Sequence, residues 1–270
     1  MVTPFRQDGE IDFDRLIIHA NNLIEQGIGY LVVLGTTAET PVLSASEKED
    51  VIQCVTEACG GRVPIMLGIG GNDTREIIHS IRKTNAREIQ GILSVSPYYN
   101  KPSQEGIYQH YAAIASVSEL PLMLYNVPGR TGSNIQAETV LRLASDFPGT
   151  IVGVKEASGD FEQLMDIMDR REDGFLVVSG DDAITLPMIA SGGDGAISVI
   201  GNAYPALTSL MVASALDGSF VKARELHYKL FPMMQAIFKE GKNAGIKAAI
   251  EIRGSIENVL RLPLIPVSPD

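Results

Sequence analysis

The chain has no tryptophan, two cysteines, four histidines and no basic run in its 270 residues. Each scarcity excludes something. Cys54 and Cys59 lie five apart on one predicted helix and point in different directions, so they form no disulfide framework, and a reducing compartment suits them. His19, His79, His110 and His227 fall in predicted helices, away from strand ends, and no two stand at ligand spacing. A zinc-dependent aldolase or hydrolase is therefore disfavoured, no metal is expected, and each histidine reads as a helix-surface residue. Lys and Arg number 22 against 33 Asp and Glu, a net charge of −11, which makes nucleic acid and anionic membranes poor partners. No apolar stretch reaches the length of a membrane span, and Met1 does not open a secretory leader, so a soluble, cytoplasmic protein is expected. No Walker A sequence occurs, and Gly68-Ile69-Gly70-Gly71 holds only fragments of a dinucleotide fingerprint. Ser191-Gly192-Gly193-Asp194-Gly195 reads as a helix C-terminus before a strand rather than a phosphate cradle.

Apolar material is plentiful, at 45% of residues, and it is distributed in a repeat. A short apolar strand, a turn of small or polar residues, and an amphipathic helix follow one another from Gly27 to Gly201. The predicted strands are Gly29–Leu34, Ile65–Ile69, Gly91–Val95, Leu122–Tyr125, Ile151–Val154, Phe175–Ser179 and Ala196–Val199. Helix starts are marked by Ser44 with Glu47, by Asp160 with Gln163, and by Asn72-Asp73 and Ser103. Nearly all-apolar strands alternating with helices imply a parallel sheet covered on both faces. A doubly wound sheet or an eight-stranded barrel satisfies this. Val2-Thr3-Pro4-Phe5, ahead of a helix over Asp12–Gln26, supplies the stub of an eighth strand and favours the α/β (β/α)8 TIM barrel. Only helices follow: Ala206–Leu216, Phe220–Lys239 and Asn243–Leu260. The expected organisation is a barrel over residues 1–217 with a C-terminal helical extension, 218–270, packed on it.

The C-terminal strand ends of such a barrel meet on one face, and that face carries the chemistry. There the sequence collects Thr36 and Thr37, Tyr98 and Tyr99, Tyr125, Arg130, Lys155, Asp181 and Ile197. Hydroxyls, one lysine and one arginine converge; histidines do not. An amine shielded from water favours its neutral, nucleophilic form, which condenses with a ketone to an iminium, and a neighbouring phenol can relay the protons this requires. Threonine hydroxyls suit one carboxylate and a guanidinium grips a second. Residue chemistry thus reaches a metal-free Schiff-base lyase or synthase acting on a 2-oxo acid.

The blocks GTTAET, SPYYNKPSQEG, LYNVPGRTG, VGVKEASGD, SGDD and GAISVIGN occur in order along the chain. In them the sequence resembles the dihydrodipicolinate synthase (4-hydroxy-tetrahydrodipicolinate synthase) family, within the N-acetylneuraminate lyase superfamily. The resemblance implies that Lys155 forms a Schiff base with pyruvate, no external cofactor being needed. Thr36, Tyr125 and Tyr99 would form a proton relay, Tyr99 reaching into the partner of a tight dimer. Thr37 would help hold the pyruvate carboxylate, Ile197 would line the pocket, and Arg130 would receive the carboxylate of aspartate 4-semialdehyde. It further implies a homotetramer of two such dimers and a place in lysine and diaminopimelate biosynthesis.

Three departures from the family pattern stand out. Ala38 replaces the usual glycine and would be strained if that position needs φ > 0. Thr40, Asn72, Glu76 and Tyr98 match or conservatively replace members of a lysine-binding allosteric pocket, but Ala45 and Lys48 stand where inhibited members carry histidine. A cation at Lys48 would repel the effector, so weak or absent feedback inhibition is expected. Met1 falls inside the family's first strand, which is therefore expected to be truncated, and the family has a further helix after Asp270. Three rival functions remain at this level: a lyase cleaving N-acetylneuraminate or a 2-keto-3-deoxy sugar acid, a barrel that binds a 2-oxo acid without catalysis, and a phosphosugar isomerase. The last needs a phosphate site and a strand-end carboxylate base, which only Glu39, Glu156 or Asp181 could be.

Overall fold

The alternation of apolar runs and capped amphipathic segments is realised as an alternation of strands and helices. The computed structural model describes residues 1–85 and 87–268. In chain order the elements are α1 (Phe13–Glu25), β1 (Leu31–Val33), α2 (Ala45–Cys59), β2 (Ile65–Gly68), α3 (Thr74–Lys83), β3 (Gly91–Val95) and α4 (Gln104–Ala115). There follow β4 (Leu122–Asn126), α5 (Pro128–Thr131), α6 (Ala137–Asp146), β5 (Ile151–Glu156), α7 (Phe161–Arg170), β6 (Leu176–Ser179), α8 (Thr185–Ala190) and β7 (Gly195–Ala196). The chain closes with α9 (Pro205–Leu216), α10 (Phe220–Lys239) and α11 (Lys242–Ile252). Among the described residues the fold is α/β, with seven strands ordered in the sheet as in the sequence.

Local chemistry starts the helices. Ser44 accepts the Glu47 amide at 3.2 Å while Glu47 accepts the Ser44 amide at 2.7 Å, a reciprocal capping box at α2. Asp12, Asp73, Ser103 and Asp160 accept first-turn amides ahead of α1, α3, α4 and α7.

The chain falls into two compact units, residues 66–197 and residues 1–65 with 198–270. This partition differs from the 1–217 and 218–270 organisation read from the repeat. In the 66–197 unit every neighbouring strand pair from β2 to β7 is parallel. All five β4 residues are buried, the pattern of a strand covered on both faces. Between β4 and β5 the register shifts: Leu122 faces Ile151, but Met123 faces Gly153, so Val152 is an extra residue. Gly153 is obligatory for the next pairing, since a Cβ there would lie 2.5 Å from the Leu176 carbonyl oxygen.

The other unit has its own core, in which Val199, Ile200, Met211, Leu230, Met234, Ile246 and Ile250 are buried together with Val2. Each isoleucine or leucine so buried contributes about 1.5–3 kcal/mol. Along α1 the buried residues Leu16, His19, Ala20 and Leu23 recur at helical spacing.

Several expectations need correction. Residues 2–5 form no sheet strand; Phe5 makes only an isolated antiparallel bridge with Ile11. Pro4 has no N–H to give to a ladder, and the Val2 amide goes to the Asn202 side chain at 3.0 Å. The last helix ends at Ile252, not Leu260. Gly254 turns left-handed at φ 77°, and the Val259 carbonyl is captured by the Lys247 ammonium at 2.8 Å. Strand β7 stops at Ala196, short of Val199, as the chain enters a 3-10 turn at Ile200–Asn202. His19, His110 and His227 are buried rather than surface residues, because each occupies the inward stripe of its helix.

Candidate active site

Strand β5 runs two residues beyond its predicted end, so Lys155 lies inside it rather than just past it. The register sets Lys155 beside Tyr125 of β4, with Val178 of β6 on its other flank. Both side chains are buried, and Lys155 Nζ stands 4.0 Å from the Tyr125 ring centroid. Electrostatic attraction to the ring face holds a lysine head there. Room for its stem comes from Gly180, just after β6, where a Cβ would lie 2.8 Å from Lys155 Cε. The Ile197 amide donates to the Ser179 carbonyl at 2.8 Å, which ties the half-buried Ile197 to the end of β6.

The next residue on each strand points to the opposite face. There Asn126 Nδ2 donates to Glu156 Oε2 at 3.0 Å, the Ser158 amide donates to Oε1 at 2.6 Å, and Gln163 Nε2 donates to Oε2 at 3.3 Å. Asn126 also accepts the Ile135 amide at 3.0 Å and donates to Asn134 at 2.8 Å. Burial pushes the Glu156 carboxyl up, against the lowering effect of these donors. This network pins the strand ends that carry Tyr125 and Lys155. Its members and Gly180 escaped the sequence reading as a supporting group; the available signal was the alternation itself, which puts 126 and 156 back to back with 125 and 155.

Tyr99 and Arg130 sit at the rim of the same unit. Tyr99 is 88% exposed and adopts φ 72°, its amide donating to the Thr131 carbonyl at 3.4 Å. Arg130 is exposed on α5, which ends in left-handed Gly132. Of the residues matched to an allosteric pocket, Asn72 donates to the Tyr98 carbonyl at 3.1 Å, and Glu76 is exposed on α3.

The second unit holds the remaining residues. Thr36 and Thr37 are half-buried in a 3-10 turn after β1, Thr40 Oγ1 donates to the Gly35 carbonyl at 3.0 Å, and Lys48 is half-buried on α2. Ala38 is unstrained. The left-handed residues are its neighbours in the loop, Leu34 and Glu39, each at φ 56°. Among the described residues the non-glycine positive φ values are confined to Leu34, Glu39, Tyr99 and Lys101, on the loops after β1 and β3. Such strain persists where the surroundings over-determine it, and it gathers at functional sites.

Other motifs lose their alternative readings. The amides of Ser191, Gly192, Gly193 and Asp194 all bond main-chain carbonyls, which leaves no cradle for a phosphate. Gly70 serves packing, a Cβ there lying 2.7 Å from the Val95 nitrogen. Glu156 is committed to its network and is no strand-end base. Among the described residues no three of His, Cys, Asp and Glu gather at metal-binding distance, and no helix is long and apolar enough to cross a membrane.

Comparison with known proteins gives a single answer. Residues 1–270 match the dihydrodipicolinate synthetase family. The 4-hydroxy-tetrahydrodipicolinate synthase of Parabacteroides distasonis is 49% identical over 266 residues, 98% of this chain and 89% of the relative. That of Flavobacterium psychrophilum is 49% identical over 270 residues, 100% of this chain and 92% of the relative. The structure of dihydrodipicolinate synthase from Acinetobacter baumannii complexed with pyruvate superposes with a TM-score of 0.96 at 39% identity, covering 100% of this chain and 92% of that one.

Proposed function

The chain belongs to the dihydrodipicolinate synthetase family, and on that premise we propose that it condenses pyruvate with L-aspartate 4-semialdehyde to 4-hydroxy-tetrahydrodipicolinate, for lysine and diaminopimelate synthesis. The observation that carries the reading is the buried Lys155 Nζ held 4.0 Å from the Tyr125 ring centroid. The Lys155 amine attacks C2 of pyruvate, water leaves, and the resulting iminium withdraws electrons so that a C3 proton is lost. The enamine carbon then attacks the aldehyde of the semialdehyde. The amine of that substrate displaces Lys155 from C2, which closes the ring and frees the enzyme. The covalent lysine adduct is the electron sink, so the reaction needs no external cofactor.

Tyr125 with Thr36 and Tyr99 relays the protons, a role that positioned hydroxyls fill at roughly 10²–10⁴-fold in rate. Thr37 holds the pyruvate carboxylate, Ile197 lines the pocket, and Arg130 takes the acceptor's carboxylate. The family reading extends to a closed (β/α)8 barrel over residues 1–217 with residues 218–270 packed on it as a helical extension. It also includes a cytoplasmic homotetramer of tight dimers in which Tyr99 serves the neighbouring site; its 88% exposure suits such a crossing.

The test is turnover of pyruvate with a panel of acceptors. Condensation with aspartate semialdehyde, and none with N-acetylmannosamine or glyceraldehyde, supports the proposal. Reaction with the sugar aldehydes alone identifies a sugar-acid lyase, and binding of pyruvate without any turnover identifies a binding barrel.

A further inference from the structure

Lys247 of α11 is fully buried, yet it belongs to none of the motifs that mark the chemistry. Its ammonium forms an ion pair with Glu39 at 2.5 Å, with both side chains shielded completely from solvent. The Phe5 ring lies 4.0 Å from the Lys247 ammonium and 4.6 Å from the Arg261 guanidinium. A buried pair of this kind is weak evidence for stability, because desolvation opposes the attraction. What it fixes is conformation. Glu39 is the left-handed residue, φ 56° and ψ 33°, that closes the turn carrying Thr36 and Thr37.

The same turn is anchored along its length by residues distant in sequence. Asn243 Nδ2, one helical turn before Lys247, donates to the Thr36 carbonyl at 3.0 Å. Thr3 Oγ1 donates to the Ala38 carbonyl at 2.8 Å, and the Arg261 amide donates to Glu39 Oε2 at 3.2 Å. Arg261 reaches the Val42 carbonyl at 3.0 Å and is itself held by Glu47 at 2.5 Å. Helix α11 thus grips both ends of a four-residue turn: the Thr36 carbonyl through Asn243, and the Glu39 carboxylate through Lys247. A cross-link that served only the core would have no reason to land on these two groups.

We propose that Lys247 and Asn243 are positioning residues, acting through the backbone of residues 36–39 to aim the Thr36 hydroxyl. The ion pair holds Glu39 in a conformation an L-residue otherwise avoids, and the amide fixes the peptide plane after Thr36. The inference rests on the reading in which that hydroxyl takes part in proton transfer.

The test compares Asn243→Ala, the paired Glu39→Gln/Lys247→Met variant, Thr36→Val, and each of the first two combined with Thr36→Val. Asn243→Ala strands no charge, and the paired variant removes both charges together, so neither leaves an unpaired ion in the core. Expected in both is a fall in kcat of roughly ten- to a hundredfold, the scale of a small misplacement of a catalytic group. KM for pyruvate should stay within about threefold, and the solvent deuterium isotope effect on kcat should rise as proton transfer becomes limiting. In the Thr36→Val background the same changes should cost nothing further, because they act through a hydroxyl already removed.

Additive losses, or wild-type kcat in a folded Asn243→Ala protein, overturn the inference while leaving the proposed reaction intact. Normal turnover by Thr36→Val, or none by the wild type, sinks the functional reading itself and the inference with it.

Discussion

Tyr125 and Lys155 are partners across adjacent parallel strands, and the extra residue Val152 in β5 makes them so. Had the Leu122–Ile151 register run on unshifted, with Val152 paired, Tyr125 would face Val154, and the lysine would fall out of line with the phenol. A one-residue slip sends every side chain to the opposite face, so the irregularity decides which functional group stands beside which.

Tyr125→Phe keeps the ring that the Lys155 ammonium rests on and deletes only the hydroxyl. Its thermal unfolding should match the wild type within a few degrees, while kcat for condensation should fall by about 10²–10⁴. Steady-state kinetics beside a melting curve separates the two effects, and an unchanged kcat would remove Tyr125 from the relay.

Two glycines bracket the lysine, and a methyl group at the second should touch the chemistry as well as the packing. Gly153→Ala puts a Cβ 2.5 Å from the Leu176 carbonyl oxygen, which is backbone in a paired strand and has nowhere to go. A loss of about 1–3 kcal/mol or more is expected in urea unfolding. Gly180→Ala meets two atoms at 2.8 Å, the Ala157 Cβ, which is fixed to its backbone, and Lys155 Cε, in the stem of the lysine. A loss of about 1–3 kcal/mol is expected here too, and in the folded protein the rate of imine formation with pyruvate should drop as well. A Gly180→Ala protein with normal imine formation would show that the stem has room to spare.

His19 supplies a pH dependence with a definite sign. Burial holds the imidazole at about 4, from an ordinary 6.5, although its Nε2–H donates to Asn202 at 3.3 Å. Between those values the unfolded chain binds a proton that the native chain does not. Stability is therefore fully present above 6.5 and falls as pH drops towards 4, by about 3 kcal/mol for this group alone. Urea midpoints measured across that range should show the decline, and His19→Gln should flatten it while keeping an amide donor for Asn202. An equal slope in the variant would assign the decline to other groups.

Feedback control is the fourth expectation. The family resemblance would assign Thr40, Asn72, Glu76 and Tyr98 to a lysine-binding pocket, and it would set at Lys48 a cation of the same sign as the effector's ammonium groups. Turnover should be insensitive to millimolar lysine, and Lys48→His should raise sensitivity. Clear inhibition of the wild-type enzyme refutes this.

Much of this molecule was legible from composition and spacing because the signals are local. Strand Gly91–Val95 occurs as expected, and the Ser44–Glu47 capping box forms as its spacing predicts. What escaped depends on contacts between residues far apart in sequence. The end of α11 is set partly by the Lys247 ammonium taking the Val259 carbonyl, the ends of residues 2–5 by Asn202, and the extra Val152 by strand pairing. At the candidate site, Lys155 and Tyr125 could be named because strand ends collect functional groups. The structural roles of Glu156 and Lys247 could not, since a carboxylate after a lysine, or a lysine on a small-residue helix, reads equally well as solvated surface. Only burial separates those cases.

The most direct measurement incubates the protein with pyruvate, reduces it with borohydride, and maps the modified peptide by mass spectrometry. The account predicts one reduced pyruvyl group, on Lys155, with parallel loss of condensing activity. Lys155 left unmodified while activity persists, or trapping at another lysine that tracks the loss of activity, would contradict it.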